Sequence, residues 1–153
     1  MKSYEYEVIS LPASSGIDAV EKYGVYTCPM NKRFEYKSSL YVAFRESGGT
    51  MRTLYKVRSH YEMLPDRLNI STREMDDLDR KQILAYLNDK KFEEFTGSMI
   101  TLQFFVLDLK HVIKLPACGA HSYKRASQGR TYYYLSDMLD PDKCQKLKPC
   151  SKC

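Results

Sequence analysis

The stretch "SSLYVAFRESGGTMRTLYKVRSHYEM", residues 38–63, restricts the fold more than any other part of the chain. Two runs rich in Tyr, Val and Phe flank Glu46-Ser47-Gly48-Gly49-Thr50. Aromatic and β-branched side chains suit a pleated strand, and glycine supplies the positive φ that a tight hairpin turn demands. A chain with such a hairpin near its middle has to build an antiparallel sheet. Period-2 alternation predicts Leu40, Val42 and Phe44 on one face, with Tyr41, Ala43 and Arg45 on the other. The returning strand places Met51, Thr53, Tyr55 and Val57 together, opposite Arg52, Leu54, Lys56 and Arg58. The basic side is expected to face solvent, as on a half-buried antiparallel sheet.

A helix is predicted over 71–91, "STREMDDLDRKQILAYLNDKK". Ser71 and Glu74 have the spacing of a capping box, and Ile70 with Met75 that of the flanking hydrophobic staple. Asp76, Asp77 and Asp79 sit where the helix dipole favours acids, and Lys90 and Lys91 where it favours bases. Met75, Leu78, Ile83, Tyr86 and Leu87 form an apolar stripe for packing on a sheet. "YEYEVISLP" (4–12) reads as a first strand. "SSGIDAVEKYG" (14–24) reads as a short helix with serines to cap it and Gly24 at its left-handed C-terminal position. "VYTCP" (25–29) is a short strand. "SMITLQFFVLDLKHVIKLP" (98–116) is one long strand or a pair divided at Asp108. "GRTYYYLSDML" (129–139) gives a strand and a helical turn that Ser136 or Asp137 can cap.

Strands grouped in hairpins around one long helix indicate a mixed α+β protein, not a doubly wound one. The expected architecture is a small curved antiparallel or mixed sheet, or a partly closed barrel, with the 71–91 helix and a short N-terminal helix. This element order is similar to that of the barrel domains often called PUA-like, which bind nucleic acid. The likeness is one of fold order alone, since no motif of that group is present.

Residues 1–153 fit a single domain able to bury one core, and no repeat or low-complexity linker divides them. No run reaches the roughly 18 apolar residues of a membrane span, and "MKSYEYEVIS" carries two glutamates where a signal peptide is apolar. A cytoplasmic setting follows as the expectation, with cysteines as thiols or metal ligands. Net charge is +5, yet its distribution is uneven. Residues 1–108 hold 15 Lys/Arg against 16 Asp/Glu, whereas 109–153 hold 9 against 3. The excess lies in 109–153, which includes a basic, cysteine-containing segment, 117–153, and suits a polyanionic partner.

Three constellations offer chemistry. Cys118 and His121 are spaced C-x-x-H, and Cys150 and Cys153 C-x-x-C, with Cys144 in reserve. Thiolate and imidazole pairs on two short knuckles are a way to hold structural zinc. "HSYKRASQGRTYYY" (121–134) interleaves Lys124, Arg125 and Arg130 with Tyr123 and Tyr132. Cations for phosphates and flat rings for bases are what a single-stranded DNA or RNA site needs, and Arg52, Lys56 and Arg58 of the hairpin extend the set. Finally, "LPD" (64–66) followed by "VLDLK" (106–110) resembles the Pro-Asp … Asp/Glu-x-Lys pattern of a large nuclease superfamily. The resemblance implies Asp66 and Asp108 as Mg²⁺ ligands and Lys110 as an aid to the attacking water.

Cys28 reads as a small buried hydrophobe, and His60 and His111 as structural. P-loop, dinucleotide and H-E-x-x-H motifs are absent from the sequence. The sequence therefore favours a non-catalytic nucleic-acid-binding protein with a basic, tyrosine-rich surface, the C-terminal cysteines being either zinc ligands that brace it or unliganded thiols. A metal-dependent phosphodiesterase is the enzyme alternative. A small protein-binding inhibitor or adaptor anchored by tyrosines is a third class, and oligomeric state has no signature.

Overall fold

The computed structural model describes residues 4–13, 16–29, 37–46, 49–64, 75–89, 101–119, 131–144 and 147, the side chains of 117–119 excepted. The order is β1 (Tyr6–Pro12), α1 (Ile17–Tyr23), β2 (Val25–Pro29), β3 (Ser39–Arg45), β4 (Thr50–Met63), α2 (Asp77–Leu87), β5 (Leu102–Gly119), β6 (Thr131–Tyr133) and α3 (Leu135–Leu139). Six strands form one sheet in the order β2-β5-β4-β3-β1-β6. Only the β1–β3 pair is parallel, because α1 and β2 carry the chain across between them. The mixed α+β class and the hairpin of β3 and β4 are as the sequence indicates.

The sheet is curled but not closed. β1 and β2 stand four strand intervals apart, about 19 Å in a flat sheet. Nevertheless the Tyr26 hydroxyl of β2 donates to the Pro12 carbonyl of β1 at 2.6 Å. One enclosed cluster draws side chains from every strand, with Ile9, Tyr26, Val42, Tyr55, Phe105 and Tyr132 among them. The outer face carries two more clusters. Val25, Phe104 and Val106 lie beneath Ile83 and Tyr86 of α2, while Val8, Ala43 and Leu54 pack with Met138, Cys144 and Leu147. Along β5 the alternation is explicit: Phe105 and Leu107 point into the curl, Phe104 and Val106 out to α2.

Covering of both faces leaves the hairpin's basic side wet only in part: Arg52 and Lys56 are exposed as expected, whereas Arg45 and Leu54 are buried. Val42, Ala43, Phe44 and Arg45 are all buried, and the Arg45 guanidinium donates to the carbonyl (3.1 Å) and hydroxyl (2.7 Å) of Ser10. Burial pulls Arg45 below its ordinary pKa.

The described helix α2 starts at Asp77 and is shorter than 71–91, with Asp76 as its N-cap accepting from the Leu78 N–H at 2.9 Å. Ser71, Glu74, Lys90 and Lys91 lie outside the described residues. Leu78 is exposed, contrary to the predicted stripe, because Asp79 takes the inward position. Its carboxylate accepts from Arg58 Nε at 2.7 Å, Ser59 Oγ at 2.6 Å and Tyr61 Oη at 2.6 Å. Burial raises the Asp79 pKa, but these donors outweigh it and hold the carboxyl below its usual value.

Two further caps differ from expectation. Gly16 is the N-cap of α1 and contributes no side chain. In α3, Ser136 and Asp137 are helical, and Glu7 Oε2 accepts from the Leu135 N–H at 2.7 Å. Gly24 is left-handed as predicted, φ 68°; a Cβ there would stand 2.6 Å from Gln82 Nε2 and 3.0 Å from the Leu107 carbonyl.

Candidate ligand-binding cleft

A cleft of about 340 Å³ opens where α1 crosses the sheet beside the hairpin. Ile17 and Glu21 of α1 are one helical turn apart and face it together. Phe44 enters from β3, Thr53 and Tyr55 from one face of β4, and Lys114 and Leu115 from β5. Glu46 and Arg52 close the end nearest the hairpin turn. The volume lies within the range of small-molecule sites, which combine an apolar lining with a few polar groups.

Its floor is aromatic. The Phe44 and Tyr55 rings lie 5.8 Å apart and tilted, and Tyr26 backs Phe44 at 4.8 Å. The rim is charged. Arg52 Nε donates to Glu46 Oε2 at 2.8 Å with the arginine side chain 72% exposed, and Lys114 Nζ donates to Thr53 Oγ1 at 3.4 Å. Burial pushes the Tyr55 phenol above its usual pKa, the Glu21 and Glu46 carboxylates add to this, and a hydrogen bond to Thr53 opposes it. Its hydroxyl is therefore protonated at neutral pH. The arrangement offers two cations and two carboxylates around one opening, above aromatic rings that are themselves buried.

Of the basic and aromatic residues named from sequence that lie among the described residues, only Arg52 lines this cleft. Lys56 lies opposite Tyr41 and Asp108 in adjacent strands, exposed on the outer face. Arg58 turns to Asp79 and Gln82 and braces α2. Tyr132 is 4% exposed and stacks on Tyr6 at 4.2 Å inside the enclosed cluster, so its ring has no face to offer a base. Tyr123, Lys124, Arg125 and Arg130 lie outside the described residues.

Asp66 also lies outside them. Asp108 bonds locally, accepting from the Lys110 N–H at 2.9 Å and pairing with His111 Nδ1 at 2.8 Å. Those two contacts, His111 first, hold its carboxyl below the ordinary range. His121, Cys150, Cys153 and the Cys118 side chain are likewise outside the description. Cys144 is fully buried in the outer cluster, its Sγ 3.7 Å from the Pro116 carbonyl. Burial pushes the Cys28 thiol up to about 12. Among the described residues no three His, Cys, Asp or Glu side chains form a metal-holding group, and no helix is long and apolar enough to cross a membrane.

Sequence reasoning missed Glu21, Phe44, Tyr55 and Lys114. Phe44 and Tyr55 share the predicted hairpin, but nothing local marks Glu21 of α1 and Lys114 of β5 as its neighbours.

The fold has solved counterparts. The structure of ASCH from Zymomonas mobilis superposes with a TM-score of 0.53 at 9% identity, covering 85% of this chain and 90% of that one. A serine-to-alanine mutant of the Zymomonas mobilis protein gives 0.54 at 7% identity over 87% and 92% of the two chains. A tyrosine-to-phenylalanine mutant gives 0.55 at 8% over 84% and 91%. At these identities the likeness is one of fold. No family model and no curated protein matches the chain.

Proposed function

We propose that the protein binds nucleic acid without transforming it, with the cleft rim contacting the backbone of a single strand. The observation that carries this reading is the meeting of two exposed rim cations, Arg52 and Lys114, at one opening of the sheet. Phosphates require positive charge. The element order similar to PUA-like domains supports the same class, as does the basic excess of residues 109–153. In this reading Lys124, Arg125 and Arg130 add phosphate contacts and Tyr123 a stacking surface. Zinc held by Cys118, His121, Cys150 and Cys153 would brace that segment.

The test is fluorescence anisotropy with labelled single-stranded DNA and RNA across a salt series. Each phosphate contact contributes to the slope of log affinity against log salt, about −0.7 per contact for single strands. Binding that weakens with salt, and weakens further in Lys114→Ala, is the expected result. No binding at low salt, or binding indifferent to salt, refutes the proposal.

A further inference from the structure

The pairing of β4 with β5 is uneven at one point. Lys56 stands opposite Asp108 and Leu54 opposite Ile113, so Tyr55 alone faces the four residues Leu109–Val112. β5 therefore carries three residues more than a regular ladder takes, an enlarged β-bulge. The bulge is held from within its own strand. Asp108 Oδ1 accepts from the Lys110 N–H at 2.9 Å, and Asp108 Oδ2 pairs with His111 Nδ1 at 2.8 Å.

This bulge lies where β5 has lost its second neighbour. β2 pairs with β5 only from Leu102 to Val106, and the Leu107 N–H then donates to the Gly24 carbonyl. Beyond that point, among the described residues, β4 is the one strand paired with β5. Leu109, Lys110, His111 and Lys114 are exposed, and Val112 and Ile113 half-buried. An open edge offers its backbone groups to any extended chain, and a second copy brings the same edge to the encounter. Leu109, Val112, Ile113 and Leu115 suit such a strand pair.

Two features oppose that pairing. The bulge bends the strand out of line, and the Asp108 carboxylate occupies a backbone donor, the Lys110 N–H, that β4 does not take. We infer that Asp108 is the clasp of an edge guard: by holding the Leu109–Val112 bulge in shape it keeps β5 from pairing with β5 of a second copy. Lys110 and Lys114 reinforce the guard with like charge on both edges. This role is independent of the nucleic-acid reading.

Asp108→Ala opens the clasp. The side chain is 24% exposed and bonds only within its own strand among the described residues, so the substitution spares the core. Sedimentation velocity of the full chain across a wide concentration range is expected to show Asp108→Ala forming dimers or larger species that the native protein does not form. Hydrogen exchange locates the contact: amides of Leu109–Leu115 should exchange about tenfold or more slowly in the associated form. Asp108→Asn keeps an oxygen for the Lys110 N–H and is expected to behave as the native protein does. Deleting Leu109, Lys110 and His111 leaves Val112 alone opposite Tyr55 and is expected to associate through the same segment. The inference is overturned if either Asp108→Ala or the deletion protein fails to associate. It is overturned equally by association that leaves Leu109–Leu115 unprotected, by Asp108→Asn associating as Asp108→Ala does, or by native protein that pairs through this edge.

Discussion

Asp79→Ala is the substitution that should do the most harm on the outer face. In the native protein this carboxylate is 2% exposed and is shared by Arg58, Ser59 and Tyr61 of β4, so it fastens α2 to the sheet. Removing it leaves a guanidinium and two hydroxyls without their acceptor. Removing one partner of a buried pair costs about 3–5 kcal/mol. The lower end applies here because the Arg58 side chain is 27% exposed and keeps its bond to Gln82, so solvent screens part of the loss. A loss of about 3 kcal/mol corresponds to a Tm drop of roughly 6–12 °C for a chain of this size. In urea, with a slope near 2 kcal/mol per molar, the midpoint should fall by about 1.5 M. Asp79→Asn retains a carbonyl acceptor and the side-chain shape, and should lose about half as much. The pH dependence has a definite sign. A carboxyl depressed in the folded state contributes stability above its unfolded pKa, near 3.9, and loses it as pH falls through the lower folded value. The gap between native protein and Asp79→Asn is therefore full at pH 5–7 and narrows below about pH 4. A cost under about 0.5 kcal/mol for Asp79→Ala, or acid-limb curves of the two proteins that run parallel, would refute this account.

Gly24→Ala combines a left-handed backbone with a Cβ 2.6 Å from Gln82 Nε2 and 3.0 Å from a carbonyl; thermal melts should show a loss of about 2 kcal/mol. Tyr26→Phe deletes the hydroxyl that joins β2 to β1 across the curl and should lower stability by about 1 kcal/mol in denaturant titrations. Arg52→Ala frees one carboxylate and removes one rim cation, so oligonucleotide affinity should fall with little change in Tm. Glu7→Gln keeps the shape of the cap on α3 but discharges it, and hydrogen exchange should show faster opening of Leu135–Leu139, by up to about tenfold.

Part of the cleft rests on segments that local chemistry makes predictable. Phe44, Arg52 and Tyr55 stand on the two strands of a hairpin whose alternation and glycine turn are written in 38–63, and Gly24 stops α1 where its sequence says. The face that each hairpin residue shows to water was not legible. Alternation separates Leu54 and Lys56 from Tyr55, yet it carries no information on whether the second face will be covered by α2 and Met138 or left wet. Arg45 and Asp79 illustrate the consequence: charged residues that local rules assign to solvent become interior anchors, because partners from β1 and β4 satisfy them.

The amino-acid sequence by itself determined the α+β class, the central hairpin, the C-terminus of α1 and the core of the long helix. Those features depend on backbone preferences and on side-chain periods spanning a few residues. Only the tertiary structure decided the curl that brings Tyr26 to Pro12, the burial of Tyr132, and the cleft formed by Glu21, Phe44, Tyr55 and Lys114. Each of these joins residues many positions apart, and such contacts are set by how two covered faces pack, which no short run of sequence encodes.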